Sequence, residues 1–205
     1  SISAFVKIGV MEDEKFSELA QNSIIFETKL GSDLVKEEEI ENKFLIKFND
    51  KFFTTLENYS NRNNKNDDNK IIYCTDEISQ SNALNLWLSN NREVIKADPL
   101  IDAQFIPWLE SQNEKYKFQR VDSEINDDLE KDSPEIVDKD GKSNTDNIKE
   151  IITKALNNEK VTVKVQSLKN NNAPPALILL PEQMRRINDM GAYMEQKIPG
   201  LPEYH

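Results

Sequence analysis

Little in this sequence is equipped for catalysis. One cysteine, Cys74, and one histidine, His205, occur among 205 residues. A single cysteine makes no internal disulfide, and metal sites draw on several Cys or His side chains. A reducing compartment fits this usage, and a cytoplasmic location is expected. His205 is the last residue, a poor place for a Ser–His or Cys–His pair. The five glycines form neither G-x-G-x-x-G nor G-x-x-x-x-G-K, so no phosphate-cradling loop is predicted. No apolar run approaches the roughly 20 residues that a membrane span requires, and no signal peptide opens the chain. Basic residues are outnumbered 26 to 37, giving a net charge of −11. Such a surface repels phosphate backbones, which argues against nucleic acid, and no basic amphipathic stretch suits a membrane surface.

What is present is enough for one large domain or two small ones, with 37% apolar and 31% charged residues. Ser1–Ile8 reads as the tail of a helix, and Glu12–Gln21 as a short helix with Phe16, Leu19 and Ala20 on one side. Ser23–Thr28 is β-branched and aromatic and predicts a strand. Phe44, Ile46 and Phe48 alternate, which suggests a further strand or an ordered loop. Thr54 with Glu57 has capping-box spacing and opens a short helix to Tyr59. Asn61–Asn69 reads as an exposed loop.

An α/β unit follows. Ile71–Cys74, Val94–Ala97 and Tyr116–Val121 read as strands. Between them lie helical stretches over Ser79–Asn90 and around Ile101, Phe105, Trp108 and Leu109. This order predicts a parallel sheet with right-handed crossovers. Residues 123–145 are rich in Asp, Glu, Lys, Ser and Asn and read as an acidic linker. Beyond it, Ile148, Ile151, Ile152, Ala155 and Leu156 mark a helix. Val161, Val163 and Val165 alternate as a half-buried strand, Ala176–Leu180 suggests another, and Pro181 opens a last helix. The fold class expected is α/β: a small parallel-sheet unit followed by a small α+β domain.

Several residues invite functional readings. Asp98 and Asp102 follow a strand, where catalytic carboxylates often sit. Strand termination and helix capping explain them more simply. Asp138-x-Asp140-Gly141 resembles part of a calcium loop but lacks its third ligand and its spaced Glu. Trp87, Phe105 and Trp108 have the spacing of ordinary core. Cys74 reads as a buried strand residue. The last helix stands apart. Met184, Ile187, Met190, Gly191 and Met194 fall along one side, with Tyr193 at its edge, while Arg185, Asp189 and Gln196 take the other. Methionine is flexible and polarizable, so such a stripe adapts to varied apolar partners. The same stripe also suits packing into its own domain. The short neighbouring strands offer little core to cover it, which favours partial exposure.

Five segments carry a resemblance. They are Val6-Lys7-Ile8-Gly9-Val10-Met11-Glu12-Asp13, Ala97-Asp98-Pro99-Leu100-Ile101-Asp102, Phe118-Gln119-Arg120-Val121-Asp122-Ser123-Glu124, Val137-Asp138-Lys139-Asp140-Gly141-Lys142 and Leu179-Leu180-Pro181-Glu182-Gln183-Met184-Arg185-Arg186. In this order and spacing the chain resembles the 90-kilodalton heat-shock protein family, in its bacterial form. The last two segments are the most specific, and residues 29–52 depart most from the pattern.

The resemblance implies that residues 1–122 correspond to the C-terminal part of that family's middle domain. Residues 146–205 correspond to the first half of its C-terminal domain, ending before the dimerisation helices. It also implies a parent that is an ATP-dependent, homodimeric chaperone using ATP and Mg, with its ATP-binding domain outside this piece. The absence of an initiator Met and the abrupt Pro202-Glu203-Tyr204-His205 end suit a piece cut from a longer polypeptide.

The expected function is therefore binding of unfolded or partly folded client proteins and coupling of domain movement. No catalysis, metal or cofactor is expected in the piece itself, which should be a monomer or weakly associated. Met184, Ile187, Met190, Tyr193 and Met194 are the expected client contacts, with Phe105 and Trp108 as secondary candidates better explained as core. The alternatives are a passive protein-interaction module and, behind it, an α/β small-molecule enzyme using Asp98 and Asp102.

Overall fold

The computed structural model describes residues 2–31, 45–63, 70–123, 143–158, 160–168 and 175–197, the last six of these by backbone alone. Two compact units emerge, one formed by Ser1–Glu124 with Pro174–His205 and one by Ile125–Ala173. This grouping joins the last helix to the sheet, whereas the sequence reading joins it to the segment from 146 onward.

The first unit opens with α1 (Ile2–Glu12) and α2 (Glu14–Ala20). Asp13 separates them and caps α2, its Oδ1 accepting the Phe16 N–H at 2.8 Å. Strand β1 (Ile25–Lys29) follows, then a hairpin of β2 (Ile46–Phe48) and β3 (Lys51–Thr55). Asn49 and Asp50 form its turn with φ of 47° and 59°. Asn and Asp are the side chains that tolerate this left-handed pair, which suits the twist of a two-residue hairpin. After it come α3 (Leu56–Asn63), β4 (Lys70–Cys74), α4 (Ser81–Ser89), β5 (Val94–Lys96), α5 (Asp102–Gln112) and β6 (Lys117–Arg120).

Among the described residues the strands form one six-stranded sheet in the order β2-β3-β1-β5-β4-β6. β4 pairs in parallel with both β5 and β6, as the strand–helix alternation predicts. β1 runs antiparallel to β5 and to β3, so the first 55 residues extend the same sheet and make it mixed. Gly31, just after β1, sits where a Cβ would come within 2.5 Å of the Leu88 carbonyl oxygen, so no larger residue fits.

The main core gathers Val10, Phe26, Tyr59, Ile71, Tyr73, Ile95, Phe105, Ile106, Leu109 and Phe118. Ile71 and Tyr73 alternate along β4 with Ile72 and Cys74, which are also buried, so this strand is covered on both faces. Trp87 of α4 is fully enclosed and donates its indole N–H to the Val121 carbonyl at 2.9 Å. Cys74 is buried, and burial pushes its thiol up to about 11, which leaves it unreactive.

Two local expectations are corrected here. The capping residue of α3 is Thr55, not Thr54: the Thr55 hydroxyl accepts the Asn58 N–H at 3.3 Å. Pairing of Ile25 with Thr55 carries β3 past Thr54, so the helix starts one residue later. Asn61–Asn63 are helical rather than loop. Glu93, only 1% exposed, accepts from Arg62 at 2.7 Å and Asn63 at 3.0 Å, and these bonds hold the helix end against β5. Residues 64–69 of the expected loop lie outside the described residues.

In the second unit, α6 (Asn144–Leu156) begins at a capping box between Ser143 and Asp146. Ile148, Ile151, Ile152 and Leu156 are all exposed. No strand forms over 161–165. Its Val/polar alternation is present, but alternation makes a strand only where a second strand supplies the ladder. The segment 176–180 is likewise not a strand. Its residues alternate between exposed and half-buried, and Leu180 donates to the Asp122 carbonyl at 3.4 Å. The acidic stretch 124–142, including Asp138 to Gly141, lies outside the described residues, as does His205.

Candidate functional site

The last helix, α7 (Glu182–Lys197), starts after Pro181, whose carbonyl accepts the Arg185 N–H at 3.1 Å. Pro181 therefore stands at the cap, one residue before the helical position expected of it. Spacings of three and four residues bring Glu182, Arg185, Arg186 and Asp189 onto one side. That charged side is the one seated on the α/β unit.

Each of its members has a partner on the edge of the sheet. Glu182 accepts the Arg120 backbone N–H and the Tyr73 hydroxyl, both at 3.2 Å. Arg185 is 3% exposed and pairs with the Asp122 carboxylate at 3.1 Å. Arg186 pairs with Glu110, donates to the Phe118 carbonyl at 3.1 Å and bonds Glu182 at 3.0 Å. Asp189 receives Arg120 at 3.3 Å, and Arg120 also pairs with Asp122 at 2.9 Å.

Burial works against the charge of Arg186, yet its hydrogen bonds to Glu110 and Glu182 outweigh this and raise its pKa. The same opposition, with Asp122 the leading partner, raises Arg120. Burial first, then the Glu182 carboxylate, pushes the Tyr73 phenol well above its ordinary value. Arg120 and Arg186 therefore keep their charge at neutral pH, and Tyr73 stays neutral.

The apolar side faces away. Met184 is 54% exposed, Ile187 64% and Met190 52%. Exposed Ile178 and Leu180 precede them in the chain. A Cβ on Gly191 would meet nothing within 4 Å, so that position too is open. Of the five expected contact residues, three are therefore placed, on one open helix side. The side chains of Tyr193 and Met194 lie outside the described residues.

The other candidates fall elsewhere. Phe105 is fully buried, stacked between Phe26 at 6.4 Å and Trp108 at 5.7 Å, and belongs to the core. Asp98 caps the turn into α5, accepting the Leu100 and Ile101 N–H groups at 2.9 and 3.1 Å. Asp102 is buried at the start of α5 and holds Lys7 of α1 at 2.7 Å, with that ammonium also 4.4 Å from the Phe26 ring centroid. Burial raises the pKa of Asp102, and the Lys7 charge works against that rise. The two aspartates thus serve the joint between α1, β5 and α5. Among the described residues, no group of three or more His, Cys, Asp or Glu side chains is placed to hold a metal ion. None of the described helices is long and apolar enough to cross a membrane.

Over most of its length the chain is similar to a bacterial chaperone. The chaperone protein HtpG of Bacteroides thetaiotaomicron is 26% identical over 198 aligned residues, which cover 92% of this chain. The chain spans only 26% of the length of that relative. No family model matches the sequence, and no solved structure matches it.

The seat itself was not foreseen from the sequence. Its signal was nevertheless present: Glu182 and Arg186 stand four apart, and Arg120 and Asp122 lie together in one of the segments that resemble the heat-shock family. Acid and base alternate on both surfaces, which is the pattern of two faces that neutralise each other.

Proposed function

We propose that this chain is a client-binding segment of an HtpG-like chaperone. It would correspond to the C-terminal part of the middle domain and the beginning of the C-terminal domain, within a homodimeric, ATP-driven, cytoplasmic parent. One observation carries the reading: α7 is seated by its charges and leaves Met184, Ile187 and Met190 open. An apolar helix side held outward by a polar joint stays available to non-native chains, and methionine lets it adapt to many of them. The similarity to HtpG supports the same reading. Met194 and Tyr193 extend the proposed contact surface by sequence. The partners are unfolded or partly folded proteins, and neither nucleic acid nor a membrane has a place in this reading.

The joint that fixes α7 to the sheet also gives a route for coupling. A shift of β6 moves Phe118, Arg120 and the following Asp122, and with them the helix that presents the methionines. The segment itself carries no catalytic role here, and isolated it hydrolyses no ATP above a buffer blank.

The test is binding of a permanently unfolded, carboxymethylated polypeptide to the chain and to its Met184→Ser, Met190→Ser double variant. Affinity falls about tenfold in the variant, the scale expected for removing two partly buried apolar anchors from an interface. Unchanged affinity, with circular dichroism intact, rejects the reading. A single saturable partner, with no suppression of aggregation of varied clients, favours a passive interaction module.

A further inference from the structure

The outward edge of β6 is closed by side chains. Backbone groups along a strand alternate in direction. Val121, next after β6, donates its N–H to the Tyr73 carbonyl of β4 at 2.9 Å, in the parallel register that sets Tyr73 against Arg120. Phe118 and Arg120 therefore turn their backbone groups away from β4. Such a row is a template on which another chain adds as a strand. Here all four groups are occupied. The Phe118 N–H donates to Glu110 at 2.8 Å, and its carbonyl accepts from Arg186 at 3.1 Å. The Arg120 N–H donates to Glu182 at 3.2 Å, and its carbonyl accepts from Ser123 at 2.8 Å. Two of the four partners come from the first two turns of α7.

We infer that the start of α7 is a removable guard over β6, and that β6 takes up an extended polypeptide segment as an added strand when the guard is lifted. The occupant follows from the pattern of groups. A donor, an acceptor and a second donor recur along Phe118–Arg120 at the spacing a neighbouring strand supplies. The guard imitates that neighbour with two carboxylates and one guanidinium. Glu110 is held by Arg186, so lifting α7 also removes the cation that fixes it. The guard rests on ion pairs, and a partner that pulls α7 away by its apolar side frees the edge at the same time. The inference builds on the client-binding reading, since a non-native chain offers both apolar side chains and extended backbone.

The test uses the full chain and its Glu182→Ala, Arg186→Ala variant. The probe is a short acetylated and amidated peptide, Lys-Thr-Val-Thr-Val-Thr-Lys, carrying a fluorophore for anisotropy. A second copy of the peptide is N-methylated at alternate residues. The variant is expected to bind the unmethylated peptide about tenfold more tightly than the unaltered chain, because two charge-assisted contacts no longer compete for the edge. The peptide is also expected to slow amide exchange at Phe118 and Arg120, and the methylated copy is not expected to bind. Equal affinity for both chains, equal binding of the methylated copy, or unprotected Phe118 and Arg120 amides would overturn the inference. Should the double variant lose cooperative unfolding, Arg186→Gln alone serves with the same readouts. The probe carries none of the bulky apolar residues proposed to engage Met184, Ile187 and Met190. A failure here therefore leaves the apolar-face reading standing, and loss of client binding in the methionine variant leaves this inference standing.

Discussion

Helices α5 and α7 are both amphipathic and both pack on the α/β unit, yet they turn opposite sides inward. α5 buries Phe105, Ile106 and Leu109 in the main core. α7 turns Glu182, Arg185, Arg186 and Asp189 inward and leaves Met184, Ile187 and Met190 outside. The difference lies in the receiving surface. Beneath α5 the sheet offers Phe26, Ile71 and Phe118, whereas α7 meets Glu110, Arg120, Asp122 and the outward backbone groups of β6. Burial of apolar area is worth roughly 25 cal/mol per Å² wherever it is available. At a sheet edge the cost of leaving backbone groups and carboxylates unpaired, about 1–3 kcal/mol for each buried group, decides the matter instead.

Several substitutions would break or sharpen this contrast. Phe105→Ala in α5 removes a fully buried ring and should lower global stability by about 3–5 kcal/mol, read from the urea midpoint followed by tryptophan fluorescence. A drop well under 1 kcal/mol would mean that α5 is not seated as described. Arg185→Ala in α7 should cost about 1–3 kcal/mol, because it leaves the Asp122 carboxylate without this partner. That loss should be local: amide exchange across 182–190 accelerates while the sheet amides of β4 stay protected. Uniform acceleration in both places would erase the distinction between the two helices. The smallest effect is expected for Met184→Ser with Met190→Ser. Both side chains are half exposed, so stability should change by less than about 0.5 kcal/mol while client affinity falls.

The same contrast explains what was legible in the sequence. The run from Ile71 to Val121 was readable because apolar periodicity there is also the periodicity of burial. The attachment of β1, β2 and β3 was not. Their hairpin turns on Asn49-Asp50 without glycine, and nothing local to Ile25–Lys29 says that it lies between β3 and β5. At Val161, Val163 and Val165 a clean alternation misled, since no ladder partner takes it up among the described residues. For α7, periodicity located the methionine stripe but was silent on which side would be seated. That depends on Glu110, 76 residues before its partner Arg186, and on the Arg120 backbone, 62 residues before Glu182. Long-range charge pairing of this kind leaves no periodic trace.

Methionine oxidation mapped by mass spectrometry reads the orientation of α7 most directly. In the folded chain, peroxide should convert Met184 and Met190 to sulfoxide nearly as fast as free methionine. Met11, packed against the core, should react much more slowly, and an unfolded client should slow the first two. Met184 and Met190 as slow as Met11 in the client-free chain would contradict the account.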